Sequence, residues 1–436
     1  MGDDNTLLRL EGRPSRALVG STIGFFTGFT MISVFSPFSK LFADFMNLTP
    51  TMIGLLVSIP TLSSAILRIP FSAMTDTTGG RKPFLILLIL SMAGLLGLSM
   101  VLSIVYPQGL TKETYPILLF LGALCGCGGA TFSVGISQIS YWFPQRKQGS
   151  VLGVYAGLGN MSPGFASILF PLTLSYFGLP GVYFVWLFFL MFGTVIYYIV
   201  GKNAWYFQLL KKGISNQEAR RISSEYYGQS VFPKGKFSDS LLSSAKSWKT
   251  WGLVLTYFTT FGGMVAMGVW LPTYWQMFHS STLDTAIWLT AAFVILAALF
   301  RVIGGRISDA FGGGKIAILS LSIMLATAII LTLSPDFNIS IIGIVMMAIG
   351  MGMANSAVFK LVPQEIPHAV GGAAGWVGGL GALGGFAIVN LLSMFIRTTD
   401  NGDLGYARGF IVFVILSLAS IGAMAMLKHA RRKRNG

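Results

Sequence analysis

Two arginines lie inside apolar segments of the sequence, where each has the chemistry to bind an anion. The first is Arg68, in the stretch AILRIPFS, and the second is Arg301, in ALFRVIGG. A planar guanidinium offers parallel N–H donors to two oxygens of an oxyanion. These residues therefore predict recognition of a small oxyanion, provided that the surrounding chain shields them from water.

Both arginines are predicted to lie deep in a membrane. Arg68 precedes Asp76, at the start of the following loop, by eight residues, and Arg301 precedes Asp309 by the same number. At a rise of about 1.5 Å per residue, each lies roughly 12 Å from its loop, near the centre of a hydrocarbon core about 30 Å thick. A charge at that depth costs about 2.5–3.5 kcal/mol on insertion scales. Each arginine should therefore face a protein interior and meet an opposite charge.

The sequence offers no acidic residue at that depth. All fifteen Asp and Glu residues fall near span ends or in connections, as do His279, His368 and His429. A single intramembrane arginine can be structural, bound to backbone carbonyls or a helix end. Two arginines at related positions favour the other interpretation, in which a transported anion supplies the negative charge.

The composition and the apolar runs predict an all-α integral membrane protein. Of the 436 residues, 53% are hydrophobic and 10% are charged, whereas soluble domains carry roughly 25% charged residues. Runs of about 20 apolar residues mark membrane-spanning helices. Twelve are predicted, near residues 17–37, 51–75, 84–106, 115–137, 149–172, 179–200, 251–278, 284–307, 315–334, 338–361, 370–395 and 408–428.

The distribution of Lys and Arg predicts that both termini lie in the cytoplasm. With that orientation, the loops of the opposite face contain only Lys40, Lys112, Arg397 and Arg408. The other loop and terminal cations fall on the cytoplasmic side, as the positive-inside rule requires. This asymmetry accounts for the net charge of +15 without a nucleic-acid partner.

The two halves of the chain are internal repeats. RIPFSAMTDTTGGRK, from Arg68, and RVIGGRISDAFGGGK, from Arg301, share an Asp, two consecutive glycines and a Lys at equal offsets. GSVLGVYAGLGN, from Gly149, and GGAAGWVGGLGA, from Gly371, share four glycines, and FFTGF matches YFTTF. The predicted division is a six-helix bundle at 1–200, a cytoplasmic connection at 201–250 and a second bundle at 251–436.

Aromatic and amide side chains are predicted to complete the anion site. Rings above and below a planar anion would fix its orientation, and a tyrosine can donate a hydrogen bond. Each ring taken alone is more typical of a helix-packing core than of a binding site. The candidates are Phe25, Phe29, Phe132, Tyr257 and Phe261, with Asn160 as a lone amide at the end of a glycine-rich run.

These motifs resemble the major facilitator superfamily and, within it, the nitrate/nitrite porter family. The pieces that carry the resemblance are the Asp-x-x-Gly-Gly loops, AGLGNMSPG, GGLGALGGF, GMGMANSAVFKLVP and FRVIGGRISDAFGG. The resemblance covers the whole chain. It implies twelve helices in two pseudo-symmetric six-helix bundles, with a central site and alternating access by rocking of the halves.

The resemblance also implies roles for individual residues. In the porter family, two arginines clamp the anion, phenylalanines sandwich it, and a tyrosine and an asparagine add hydrogen bonds. Those roles would pass to Arg68, Arg301, Phe132, Phe261, Tyr257 and Asn160. Secondary candidates on the substrate pathway are Asn355, Gln138 and Gly381, and the gating loop signature comprises Asp76, Arg81, Asp309 and Lys315. Ala382 replaces an asparagine found in some members, and Gln138 replaces a smaller polar residue, so both departures bear on selectivity.

The predicted function is nitrate/nitrite exchange across the cytoplasmic membrane, by a monomer that contacts membrane lipids and uses no cofactor. Two guanidiniums about 7 Å apart would repel by roughly 2.4 kcal/mol at an effective dielectric near 20, so an empty carrier should reorient poorly. A proton symporter usually needs a titratable group in the membrane, and none is predicted there. Proton-coupled nitrate uptake, or a carrier or channel for another small anion, is the alternative.

Other classes of protein fit the sequence less well. A proton-driven sugar or drug carrier would need a carboxylate at mid-membrane, and a receptor would need a signalling domain. The sequence contains no H-E-x-x-H, C-x-x-C or paired carboxylates, which argues against an enzyme and against catalytic residues. Cys125 and Cys127 lack further ligands for a metal, so no metal site is predicted.

Overall fold

The computed structural model of the chain describes residues 10–233, 236–398 and 402–435, and its regular elements are helices. Helices satisfy their own backbone hydrogen bonds, which is why apolar runs of this length adopt them in lipid. The first half contains α1 (Pro14–Thr30), α2 (Ser39–Met46), α3 (Pro50–Thr78), α4 (Arg81–Val105), α5 (Tyr115–Gly126), α6 (Thr131–Trp142), α7 (Gln148–Asn160) and α8 (Ser162–Val200).

The polar connection and the second half are also helical. The connection contains α9 (Trp205–Lys211), α10 (Asn216–Tyr227) and α11 (Phe237–Lys246). After it come α12 (Trp248–Tyr257), α13 (Gly263–His279), α14 (Leu283–Phe311), α15 (Gly313–Leu333), α16 (Phe337–Glu365), α17 (Val370–Thr398), α18 (Gly402–Arg408) and α19 (Ile411–Asn435).

Eleven helical segments in the described ranges are long and apolar enough to cross a membrane. The remaining predicted span, 149–172, lies on α7 and the first part of α8, which are separated by a one-residue turn at Met161. Pro163 in the first turn of α8 cannot donate a backbone hydrogen bond and is suited to a helix start. The long α8 then continues into the next predicted span, with a non-helical residue at Gly178.

Two repeat-related glycines form the turns after α3 and α14. Gly79 has a φ of 74° and Gly312 has a φ of 94°, which is the left-handed region that favours glycine. Each allows the next helix to begin within two residues. The glycines shared by the two halves thus have the same backbone role in both.

The chain divides into two compact units. The first comprises Met1–Pro144, Leu158–Leu241 and His368–Gly375, and the second comprises Gln145–Gly157, Leu242–Pro367 and Trp376–Gly436. Each unit therefore includes a short stretch from the other half of the sequence: the start of α17 in the first, and most of α7 in the second. The predicted division at residues 200 and 250 follows the sequence repeats and stays a prediction.

Each unit is held together by long helices. In the first unit, α8 packs against α1 and α4, and α3 packs against α5 and α6. In the second unit, α16 packs against α14 and α15, and α19 packs against α12 and α15. The two arginines are on α3 and α14, so both are on helices inside these packed groups.

Candidate anion-binding site

Arg68 is the centre of a cluster in the first unit. Its side chain is almost fully buried, at 2% exposure, and its Cζ lies 4.8 Å from the ring centroid of Phe132 and 5.9 Å from that of Phe29. These distances are within the range of cation–π attraction. Its Nη2 donates to the carbonyl of Gly129 at 3.5 Å, which occupies one of the five N–H groups of the guanidinium.

A third ring extends this cluster, and a buried amide follows the glycine that contacts that ring. Phe25 lies 5.1 Å from Phe29 and 5.3 Å from Phe132, centroid to centroid. A Cβ at Gly159 would lie 2.0 Å from Cδ1 of Phe25, so only glycine lets α7 approach that ring. Asn160 follows directly, and neither of its buried amide atoms has a hydrogen-bond partner among the described residues. Leaving such a group unsatisfied costs about 1–3 kcal/mol.

Arg301 is the centre of the corresponding cluster in the second unit. It is 1% exposed, and its Nη2 donates to the hydroxyl of Tyr257 at 3.2 Å. Its Cζ lies 5.6 Å from the ring of Tyr257, 5.7 Å from Phe261 and 5.9 Å from Phe359. The rings of Tyr257 and Phe261 are stacked, with centroids 4.9 Å apart and planes 2° from parallel. Because Tyr257 accepts from the arginine, its own O–H can be directed at another acceptor.

The glycine contact of the first unit recurs in the second. A Cβ at Gly381 would lie 2.5 Å from Cδ1 of Tyr257, just as Gly159 contacts Phe25. The two glycines have the same offset in the repeated glycine-rich runs, and the two aromatic residues begin the matched FFTGF and YFTTF segments. Gly381 is therefore a packing partner of the site tyrosine. Ala382 follows it and is buried.

Irregular turns lie next to both clusters. Residues Cys127–Ala130 form a 3-10 turn between α5 and α6, just before Phe132. Residues Phe258–Gly262 form a π-helical turn between α12 and α13, which contains Phe261. Turns of the π type frequently occur at functional sites, because they redirect side chains without ending the helix.

One polar side-chain atom of Asn355 is hydrogen-bonded, and the other has no hydrogen-bond partner among the described residues. Its Oδ1 accepts from Thr260 Oγ1 at 2.8 Å, whereas the buried Nδ2 has no hydrogen-bond partner among the described residues. Its neighbour Ser356 donates to the backbone carbonyl of Arg301. This part of α16 thus supports the arginine and presents an amide donor in the interior of the second unit.

Gln138 is separate from the arginine cluster. Its Nε2 donates to the carbonyl of Lys202 at 3.0 Å, and its Oε1 accepts from Tyr197 at 2.7 Å. Its side chain also packs directly against Gly80. The amide therefore connects α6 to the end of α8 and the residues after it, and its place on a substrate pathway stays a prediction.

The first Asp of the loop signature caps a helix. The carboxylate of Asp76 accepts from the backbone N–H groups of Gly371 at 2.8 Å and Gly372 at 3.3 Å. The hydroxyls of Tyr141, at 2.5 Å, and of Ser240 also donate to it. An anion at the N-terminus of a helix is stabilised by these N–H groups and by the helix dipole. Asp76 therefore holds α17, and Ser240 attaches the connection helix α11 to the same point.

Asp309 has the corresponding role in the second unit. It accepts from the backbone N–H groups of Gly149 at 2.8 Å and Ser150 at 2.7 Å, at the start of α7. The ammonium of Lys360 lies 2.9 Å from it. Lys360 and Tyr141 occupy matching places, each three residues before a Pro-Gln pair. The halves thus share the cap, with a lysine in one and a tyrosine in the other.

The other two signature residues lie at loop positions. Arg81 begins α4, and its Nη2 donates to the carbonyl of Tyr198 at 2.8 Å. Lys315 is exposed in the first turn of α15. Neither residue contacts the arginine clusters in the described hydrogen bonds and ion pairs.

Three participants were not predicted from the sequence: Phe359, Thr260 and the carbonyl of Gly129. Phe359 had a detectable signal, because it lies four residues after Asn355 and therefore on the same helix face. Thr260 and Gly129 lie in the irregular turns, whose geometry no local sequence pattern specified.

Most of the chain matches one known family of membrane transporters. Residues 21–389 match the model of the Major Facilitator Superfamily. The chain belongs to this superfamily. The predicted all-α membrane fold of that superfamily is confirmed, and the chain is a transporter rather than an enzyme.

Several curated relatives are similar to this chain over nearly its whole length. A probable nitrate transporter NarT of Staphylococcus haemolyticus (strain JCSC1435) is 26% identical over 94% of this chain and 97% of its own length. Probable nitrate transporters NarT of Staphylococcus epidermidis (strain RP62A) and Staphylococcus aureus (strain JH9) are also 26% identical, and each is covered over 95% of its length. These relatives agree with the resemblance to the nitrate/nitrite porter family.

Solved structures of the superfamily share the fold. The proton:xylose symporter XylE matches with a TM-score of 0.70 and 14% identity, over 93% of this chain and 94% of that one. The transporter FucP, in its outward conformation, matches with a TM-score of 0.69 and 13% identity, over 93% and 98%. At these identities the similarity concerns the fold alone.

Proposed function

We propose that this superfamily member transports nitrate and nitrite across the cytoplasmic membrane by alternating access, as an exchanger. Both termini are placed in the cytoplasm by the positive-inside rule, and the transporter acts as a monomer. The similarity to probable nitrate transporters of Staphylococcus supports nitrate as a substrate. Nitrite, the exchange mechanism and the role of the arginines rest on the sequence resemblance and on the chemistry of the two clusters.

The observation that carries the proposal is the pair of repeat-related arginines, both almost fully buried and both facing aromatic rings. The nearest acids in the sequence are bound elsewhere. Asp76 caps α17, and Asp309 caps α7 and pairs with Lys360. A substrate anion would bring a negative charge to the buried guanidiniums of Arg68 and Arg301.

The side chains around the arginines favour a small planar oxyanion. A guanidinium presents parallel donors in one plane, which match two oxygens of nitrate or nitrite. Phe132 and the stacked pair of Tyr257 and Phe261 offer flat surfaces. The unsatisfied amides of Asn160 and Asn355 add donors without adding charge. A tetrahedral dianion would need more positive charge and a less flat cavity.

Exchange follows from the electrostatics of a carrier with two central cations. Like charges in a low-dielectric interior repel, and a bound anion removes that repulsion. A carrier that has released its anion is then expected to reorient only after binding another. Nitrate entry would be coupled in this way to nitrite exit.

The test follows labelled nitrate into liposomes that contain the purified protein. The vesicles are loaded with nitrite, with nitrate or with neither, and each set is measured with and without a pH gradient. Uptake only into loaded vesicles, regardless of pH, is the expected result. Uptake into unloaded vesicles that follows the proton gradient would replace exchange by proton-coupled uptake. Failure of nitrate to enter any vesicles would overturn the substrate assignment.

A further inference from the structure

A small pocket lies at one end of the second unit, and its lining residues do not belong to either arginine cluster. Its volume is about 180 Å³. It is formed where α14 and α16 end, α15 begins and α19 ends. The helix ends that surround it belong to the face that carries most of the Lys and Arg residues, which the positive-inside rule assigns to the cytoplasm.

The pocket has three cationic side chains and one acid. The cations are Lys315, Lys428 and Arg431, and the acid is Glu365. The side chain of Glu365 is 2% exposed and lies 2.6 Å from the ammonium of Lys249 and 3.7 Å from Nε of Arg431. Lys249 therefore neutralises the acid, and the lining keeps a net positive charge.

The backbone adds hydrogen-bond donors to this charge. Gly312 and Gly314 line the pocket at the N-terminus of α15, and no side chain caps that helix. The first N–H groups of a helix have no partner within it and attract anions. Their presence beside three cations is the combination that a phosphate group needs.

The other walls of the pocket are apolar. Leu361, Met424 and Leu427 form one side, and Phe311 is 66% exposed at its edge. A free phosphate ion has no apolar part that could pack against these surfaces. A phospholipid can pack its glycerol backbone and acyl chains against them. The sequence then continues past Arg431 with Arg432, Lys433 and Arg434. Basic clusters immediately after a membrane helix attract anionic lipids.

We propose that this pocket binds the phosphate of an anionic phospholipid in the cytoplasmic leaflet. Lys315 and Lys428 contact the headgroup, the N-terminus of α15 donates to it, and the apolar wall receives the glycerol backbone. The site is independent of the transported anion, since its residues are separate from both arginine clusters.

The experiment is native mass spectrometry of the purified, delipidated protein titrated with phosphatidylglycerol. Parallel titrations use phosphatidylcholine, which is zwitterionic, and glycerol phosphate, which lacks acyl chains. Each lysine near an anionic surface contributes about fivefold in affinity. The double variant Lys315→Gln/Lys428→Gln should therefore bind phosphatidylglycerol about 25-fold more weakly. The control variant Lys211→Gln/Lys212→Gln changes two exposed lysines of the connection and should bind normally.

Three results would overturn the proposal. They are equal binding of phosphatidylglycerol by the double variant, equal binding of phosphatidylcholine by the unmodified protein, and equally tight binding of glycerol phosphate. If the double variant unfolds, Lys428→Gln alone should weaken binding about fivefold. Unchanged binding by that single variant would refute the assignment equally well.

Discussion

Replacement of Arg301 by lysine separates the charge of the side chain from its geometry. The substitution keeps one positive charge on α14 but replaces the planar fork by a single ammonium group. The hydrogen bond from Nη2 to Tyr257, 3.2 Å long, is lost, and so is one of the two parallel donors to an oxyanion. If only the positive charge matters, Arg301→Lys should transport nitrate normally. If the bidentate geometry of the guanidinium matters, transport by this variant should fall.

The size of the effect follows from the lost donor. A hydrogen bond that involves a charged group contributes about 1.5–3 kcal/mol, and every 1.4 kcal/mol is about tenfold in affinity. We therefore expect Arg301→Lys to reduce nitrate transport, as kcat/KM, by about ten- to a hundredfold. The assay is uptake of labelled nitrate into nitrite-loaded liposomes, over a range of nitrate concentrations.

A matched control lies on the same helix. Arg306 is exposed and five residues further along α14, so Arg306→Lys should transport nitrate normally. Equal reconstitution and equal melting temperature would exclude misfolding of the Arg301 variant. If Arg301→Lys transports nitrate as well as Arg306→Lys, the bidentate geometry has no role and the reasoning is refuted.

Three further substitutions test other parts of the structure. Phe261→Ala removes a ring from the second cluster. It should raise the KM for nitrate about three- to tenfold with normal expression, since aromatic pairs contribute about 0.5–1.5 kcal/mol. An unchanged KM in uptake assays would contradict this. Asp309→Asn removes the charge that neutralises Lys360, and breaking a buried pair costs about 3–5 kcal/mol, so the melting temperature in detergent should fall by several degrees. Gly126→Ala places a Cβ 2.0 Å from the backbone carbonyl oxygen of Pro60 on α3 and should prevent stable folding. The control Gly54→Ala adds a Cβ with no neighbouring atom within 4 Å and should fold normally. Equal yields of both variants by size-exclusion chromatography would disprove the close packing.

The membrane-spanning architecture followed from the sequence because it depends on a local property. A run of apolar residues long enough to cross the bilayer has few alternatives to a helix. The short break at Met161, inside the fifth predicted span, was not visible in that pattern. A hydropathy pattern registers the apolar length of such a segment but does not register its interruption.

The arginine clusters were predictable only in part. The depth of Arg68 and Arg301 followed from helix rise and from their distance to a loop, and both are buried in the structure. The 3-10 and π-helical turns beside them were not predictable. Such turns reflect the packing of neighbouring helices, as at Gly128, where a Cβ would lie 2.5 Å from the carbonyl of Gly28.

The loop signature was also predictable only in part. The repeat identified Asp76 and Asp309 as equivalent residues, but their partners are distant in sequence. Asp76 binds Gly371, 295 residues away, and Asp309 binds Gly149, 160 residues away. Local patterns cannot specify which helix N-terminus a carboxylate will cap, although the matched positions of the two glycines in the repeats were already visible.

The most direct test of the central claim is equilibrium binding of nitrate to the purified protein by isothermal titration calorimetry. The unmodified protein, Arg68→Gln and Arg301→Gln are titrated with nitrate, nitrite and sulfate. The account predicts that the unmodified protein binds nitrate and nitrite but not sulfate, and that each arginine variant loses binding at least tenfold while keeping its melting temperature. Nitrate binding that is unchanged in both variants would contradict the claim that these two buried arginines hold the transported anion.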